Sequence, residues 1–290
     1  MRHPVIQRPC PHCGSGCVHG HGSFGLMDGA RQQRYRCRSC GRTFNQDTDT
    51  PLSYLKKRDR WEQLAEGMAQ GLSIRSLAAA LNIAVATAFR WRHRLLGALC
   101  RRPQPVLTGQ AAASEAYVPY SEKGSRQTDG RGAYGVRRAR AAGAGFGRRR
   151  FRRFINGKPS CVLLACAGEQ RVVAIVSSGQ PAPEQLQSTL AQTLGAGAEL
   201  STLGLAPYAA ACLRLGVPHR EAWGPGAAAG WTPPCRAVER LLRGLYAWLL
   251  QFHGVATRYL HHYLAWYRLP GRTARQLLVE SNTLRPRRVG

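Results

Sequence analysis

The amino-acid sequence predicts an α/β protein in which two small modules, a zinc ribbon and an all-α helix-turn-helix, precede a larger core. Three observations lead there. Two Cys-x-x-Cys pairs stand near the N-terminus, the next stretch repeats its apolar residues with helical period, and the second half alternates strand-like and helix-like segments. A length of 290 residues suits this division and exceeds one small module.

The formal net charge of +27 comes from 42 Lys and Arg against 15 Asp and Glu. It is spread along the chain: residues 1–100 hold 15 basic and 6 acidic groups, residues 101–160 hold 14 and 3, and the remainder 13 and 6. Nucleic acid is the fitting counter-ion for such an excess. The sequence shows neither an apolar span of membrane-crossing length nor a signal-type N-terminus, so a cytoplasmic protein with no membrane partner is expected. Four of the ten cysteines form an ordered pattern and six are scattered, which points to a metal site in a reducing compartment rather than a disulfide scaffold.

Residues 1–50 read as the zinc ribbon. CPHC at 10–13 and CRSC at 37–40 are two knuckles separated by 23 residues, each offering two thiolates at a tight turn. Structural Zn²⁺ is expected on Cys10, Cys13, Cys37 and Cys40; His12, Cys17, His19 and His21 lie nearby but the set is complete without them. Between the knuckles, Arg34 and Arg36 flank Tyr35 on a basic strand suited to phosphate contacts.

Residues 51–99 carry the helix-turn-helix. Ser73 is placed to cap a helix through Leu81, Asn82-Ile83 make the turn, and a second helix runs to about Leu96. In that helix Val85, Ala88, Phe89 and Arg92 fall at i, i+3, i+4 and i+7, which puts Phe89 in the core. Thr87, Arg90, Trp91 and Arg94 are left for other faces, and the candidate DNA contacts are Thr87, Arg90, Arg92 and Arg94. Residues 100–110, with two prolines and a glycine, read as a linker.

The core is expected over residues 111–280. It opens with an apolar run ending in an acid, AAASEAYV, which reads as a buried strand that presents one carboxylate at its exit. A basic, Gly-rich loop at 128–153 follows and reads as a phosphate clamp, with Arg148, Arg149 and Arg150 at its centre. Residues 159–179 form a hairpin around Gly168-Glu169; then come a helix, a short strand, a helix at 206–216, a long helix at 232–252 capped by Thr232 with Pro233 at its first position, and helices at 255–268 and 273–279. Residues 281–290 are a basic tail. Strand, hairpin, helix, strand and helices make an α/β order of the ribonuclease-H type.

Four blocks, RYRCRSCGRTF (34–44), TAFRWRHRLL (87–96), SEAYVPYSEKGSR (114–126) and LYAWLLQFHGVATRYLHHYLAWYR (245–268), resemble bacterial insertion-sequence transposases of the ISXO type. The resemblance covers about residues 8–270. It implies a zinc ribbon and helix-turn-helix fused to a ribonuclease-H-like DDE core, which cuts DNA and joins its strands with two Mg²⁺ ions held by three acidic or amide side chains. Carried across residue by residue, the first acid falls on Ser114, before Glu115 and Tyr117. The second falls on Leu203, in a frame kept by Gly204, Tyr208 and the run Gly216 to His219. The third is Glu239, and the Lys seven residues further on is Tyr246.

Neither a Leu nor a neutral hydroxyl supplies the charged oxygen that Mg²⁺ requires, and no Asp follows Asp129. Glu115 should point to the opposite strand face, and Glu199 lies roughly 13 Å back along its strand. Glu239 also suits an i, i+4 pair with Arg243. The resemblance therefore implies a DNA-binding protein derived from a transposase that has lost cleavage and strand transfer. Its expected partner is DNA, as transposon-end inverted repeats, with a homo-oligomer or a mixed oligomer containing an intact transposase as further partners. Mg²⁺ enters only if catalysis survives through unorthodox ligands or such a mixed oligomer. RNA binding is the third reading, since basic charge alone does not separate the two nucleic acids.

Overall fold

A computed structural model describes residues 9–26, 29, 31–55, 57–123, 159–204, 206–222, 231–269 and 273–282. The basic loop 128–153, with Arg148, Arg149 and Arg150, lies outside the described residues, as does the tail from 283. The protein is mixed α/β and divides into two compact units, with the boundary between Arg102 and Pro103.

The first unit begins with an antiparallel sheet of β1 (Val18–Gly25), β2 (Arg31–Cys37) and β3 (Thr43–Asn45), in that order. Its small core is Cys10, Cys37 and Phe44, flanked by Val18 and Tyr35. Tyr35 and Phe44 face each other across β2 and β3, with ring centroids 5.8 Å apart. Three helices follow: α1 (Asp59–Ala69), α2 (Ile74–Ala80) and α3 (Val85–Cys100). Ser73 caps α2 as its sequence predicts, its Oγ accepting the Ser76 N–H at 3.1 Å. Gly67 lets α1 and α2 close up, because a Cβ there would stand 2.4 Å from Leu77 Cδ2.

Two expectations about the limits of the units change. The unit boundary falls inside the stretch read as a linker, but the linker is shorter than 100–110: α3 runs through Cys100, and Leu107 is fully buried in the second unit, its N–H donating to the Thr193 carbonyl and its own carbonyl accepting the Gly195 N–H, both at 2.8 Å. The core ends before 280, because the last helix, α8 (Ala274–Asn282), belongs to the first unit and packs on α1 and α3 with Leu277 fully buried. Residues 281 and 282 continue that helix rather than starting a tail.

In the second unit, β4 (Gln110–Val118), β5 (Ser160–Ala167), β6 (Gln170–Ser178), β7 (Glu199–Thr202) and β8 (His219–Glu221) form one sheet in the order β6-β5-β4-β7-β8. β5 runs antiparallel to β4 and β6, whereas β7 is parallel to β4 and to β8. The remaining elements are α4 (Pro183–Thr193), α5 (Tyr208–Leu215), α6 (Pro233–Leu250), a 3₁₀ turn (Thr257–Tyr259) and α7 (Leu260–Tyr267).

Because strand side chains alternate, β4 serves two layers. Ala111 and Ala113 join Leu163 and Ala165 of β5 beneath Leu186 and Leu190 of α4 and Ala211 and Cys212 of α5. Ala112, Ser114 and Ala116 face the other way, on the side where α6 packs against β4 and β5. Thr232 does sit at the N-cap of α6 with Pro233 first, but its hydroxyl contacts Cys235 Sγ at 3.2 Å instead of capping a backbone N–H.

Candidate functional site

The two cysteine pairs fold into matching turns. Cys10 accepts from the Gly14 N–H at 2.8 Å and Cys37 from the Gly41 N–H at 3.0 Å; Gly14 and Gly41 both take the left-handed φ, 75° and 71°, that closes such a turn. Ser15 and Ser39 join the turns through hydroxyls 2.7 Å apart. All four thiols lie within 4.8 Å of one another. The Cys10–Cys40 and Cys13–Cys37 separations are 3.7 and 3.6 Å. Four sulfurs at 2.3 Å from a central Zn²⁺ would be about 3.8 Å apart, so the donor set and its spacing fit a tetrahedral metal site. The Cys37 thiol is held down to about 6, first by the Cys40 backbone N–H; burial opposes this, and the Ser39 N–H and the Cys13 and Cys40 thiols add to the pull. Cys17, His12, His19 and His21 stand outside the cluster.

The arginines expected to face DNA divide. Arg34 and Arg36 are exposed on β2, Arg34 stacked over the Phe24 ring at 5.3 Å. Thr87 and Arg90 lie one turn apart on α3, with Arg90 exposed and its guanidinium 3.5 Å from the Thr87 hydroxyl. Arg92 is corrected: only 1% exposed, it lies inside the unit and donates to the Leu72 carbonyl just beyond α1. Arg94 is half-buried and donates to the Ser53 carbonyl, and burial lowers its pKa. Phe89 is also corrected. It is half-buried against His93, with centroids 4.3 Å apart, while Ala88, Leu95, Leu96 and Leu99 form the buried stripe and Val85 is exposed. Trp91 sets an edge on Trp61, consistent with a packing role.

In the second unit the positions of the first two family acids come together. Ala113 pairs with Thr202 across the parallel strands, and the ladder continues with the Leu203 N–H donating to the Ala113 carbonyl at 2.9 Å, so Leu203 follows the register beside Ser114. Both are buried, 1% and 2% exposed, and the Ser114 hydroxyl has no hydrogen-bond partner among the described residues. Glu239, on α6, pairs with Arg243 one turn on. Tyr246, on the same helix, accepts the Tyr117 N–H at 3.2 Å.

The residues that frame these positions interlock on the opposite face. Glu115 is buried and its Oε2 accepts the Tyr208 hydroxyl at 3.1 Å. A Cβ at Gly204 would fall 1.5 Å from that same oxygen, so the carboxylate occupies the space a side chain would need. Burial, and next the Glu115 charge, raise the Tyr208 pKa well above its usual value. Glu199 is exposed at the start of β7, paired with Gln110, away from Ser114. These residues do not fit a divalent-cation site of three converging oxygens at Ser114 and Leu203.

The fold and the cysteine cluster thus define a strongly basic, two-unit α/β protein with one cysteine quartet, among the described residues, spaced to hold a metal ion. No family model matches the chain, and no solved structure matches it. It is similar to an uncharacterized protein in transposable element ISH50 of Halobacterium salinarum, at 31% identity over 137 residues, which is 43% of this chain and 45% of that protein. The chain therefore spans less than half the length of this curated relative. No helix among the described residues is long and apolar enough to cross a membrane.

Proposed function

We propose that this chain is a DNA-binding protein derived from an insertion-sequence transposase, whose ribonuclease-H-like core no longer cuts or joins strands. A zinc ribbon, with Zn²⁺ on Cys10, Cys13, Cys37 and Cys40, and the helix-turn-helix of α2 and α3 bind the transposon-end DNA. Support comes from the likeness to a protein of transposable element ISH50, from the cysteine geometry, and from the sheet whose first strand lies between an antiparallel hairpin and a parallel strand. Arg34, Arg36, Thr87 and Arg90 are the DNA contacts of the first unit.

The observation that carries the reading is the pairing of Ser114 with Leu203. Mid-strand in β4 and just past the end of β7, two neighbouring positions that would supply two of three metal ligands present a hydroxyl and an alkyl group. Glu115 is committed to Tyr208 on the other face, which leaves Glu239 alone as a carboxylate from the family's set. One carboxylate does not hold two Mg²⁺ ions against a phosphate.

The test is the purified full chain with Mg²⁺ or Mn²⁺ on duplex DNA carrying its own element's inverted repeats. Binding that weakens steeply with salt, with no strand nicking, is the expected result. Metal-dependent nicking that disappears in Glu239→Ala would overturn the loss of cleavage, and absence of binding would overturn the DNA-binding half.

A further inference from the structure

We infer that Tyr54 is a nucleic-acid-contacting residue, whose ring the loop between β3 and α1 holds out to stack on a base or sugar of bound DNA. The inference rests on the DNA-binding reading above and adds a contact that no basic residue supplies.

Tyr54 is 98% exposed and has a φ of 56°. Three other non-glycine residues among those described take a positive φ, namely Asp49, Asn82 and His253, and all are of types that tolerate it. A bulky aromatic in this region is strained, and burial of its ring does not offset the strain. Such strain persists only where the surroundings impose it.

Here the surroundings do so on both sides of the ring. Before it, the Asp47 carboxylate is buried between Gln32 Nε2, at 2.5 Å, and the Arg58 guanidinium. The Thr50 hydroxyl donates to the Asp47 carbonyl at 2.7 Å, and the Ser53 N–H to the Thr50 carbonyl at 3.1 Å. After it, Leu55 is buried and its N–H reaches the Leu52 carbonyl at 3.1 Å. Between these anchors Arg94 grips the Ser53 carbonyl. The backbone is pinned while the one large side chain in its middle projects into solvent.

The direction of projection matters because of that grip. Thr87, Arg90 and Arg94 succeed one another at spacings of three and four residues, along one face of α3. Arg94 extends that face to the carbonyl of Ser53, which brings the backbone next to Tyr54 to the same face of α3 as Thr87 and Arg90. An exposed ring on a loop held by that face, together with the exposed Arg90 guanidinium and the half-buried Thr87 hydroxyl, matches stacking plus backbone contact, the combination by which proteins hold nucleic acid without reading every base.

The experiment measures affinity of the full chain for a labelled random-sequence duplex and a labelled mixed-sequence single strand, over a range of salt. Three proteins are compared: wild type, Tyr54→Gly, which deletes the ring and relieves the left-handed strain, and Tyr54→Phe, which keeps the ring. Tyr54→Gly should bind about 5-fold to 100-fold more weakly, as for loss of one aromatic stack. Its salt dependence should match wild type, since no phosphate contact is lost. Tyr54→Phe should stay within about two-fold, and the melting temperature of Tyr54→Gly should not fall. Wild-type binding with an unchanged Tyr54→Gly affinity would overturn this inference alone, whereas no wild-type binding would remove the DNA-binding reading and the inference with it. A smaller sedimenting species for Tyr54→Gly, with DNA affinity unchanged, would make the ring a protein contact and overturn the inference.

Discussion

At the cysteine quartet, four side chains from two matching turns converge on one point, and two of them, Cys10 and Cys37, are also two of the three residues in the core of the first sheet. Where the middle of β4 meets the end of β7, the strands and their supporting face are equally well built, but the adjacent positions are Ser114 and Leu203. The difference is in what the ligands do besides ligating. Cys10 and Cys37 are candidate ligands and core residues at once, so losing either would remove both. Around Ser114 the buried sheet, α4, α5 and α6 carry the stability, and this one side chain in mid-strand can change while the fold stands.

The largest effect should fall on the quartet. Cys37→Ser, or chelation, should release the metal and unfold residues 9–45, leaving the second unit intact; sites of this type contribute on the order of 10 kcal/mol to folding. Zinc stoichiometry by native mass spectrometry and protease sensitivity confined to that segment check it. A Cys37→Ser protein that keeps its metal and its protease resistance would break the comparison.

Next comes the supporting face of the second site. Gly204→Ala should cost about 2–3 kcal/mol in urea unfolding, because its Cβ takes the place of the Glu115 carboxylate. Pairing it with Glu115→Ala should recover part of that, a coupling of about 1–2 kcal/mol. Additive losses would show that Gly204 and Glu115 do not share the space the structure gives them.

Smaller still is the effect at Ser114 itself. Ser114→Ala removes a buried hydroxyl that has no partner among the described residues and should stabilise by up to about 1 kcal/mol. Ser114→Asp buries a carboxylate and should lower the melting temperature; only together with Leu203→Asp should Mn²⁺ raise it again. If Ser114→Ala destabilises instead, the hydroxyl has a role that its surroundings do not reveal.

The smallest expected effect is on pH. His219 Nε2 lies 2.9 Å from the Thr202 hydroxyl, and burial lowers its pKa below 6.5, against the opposing charge of Glu221. The folded state therefore binds the proton less readily than the unfolded chain. The contribution to stability is complete above about 6.5 and declines as pH falls below it. His219→Gln should flatten that part of a melting-temperature profile, and an identical slope in the variant would assign it to other groups.

Local signals were legible in proportion to how locally they act. The Ser73 cap, the hairpin around Gly168 and the Cys-x-x-Cys turns each depend on neighbours a few residues away, and each appears where its sequence places it. Ser114 and Leu203 could be set against the family's positions, but not their adjacency, which needs β7 to enter the sheet beside β4. The partners of Arg92 and Arg94, and of Arg60 in α1, could not be read from the sequence. Whether a guanidinium meets a phosphate or a distant carbonyl depends on tertiary contacts, and here they meet the carbonyls of residues 81–82, 72 and 53. The part of the net charge that faces outward in the first unit is correspondingly smaller than a count of arginines suggests. Tyr54 gives no periodic or compositional sign; only its φ and its exposure single it out.

The return of α8 to the first unit has a consequence for biosynthesis. The helices α1 and α3 are synthesised early, yet the surface they share stays uncovered until Leu277 has left the ribosome. At about 5–20 residues per second, the interval between Arg102 and Leu277 is roughly nine to thirty-five seconds. During that time the second unit can fold as a continuous segment, whereas the first waits with an apolar face exposed. Nascent chains stalled between those two points should thus be the form most dependent on chaperones.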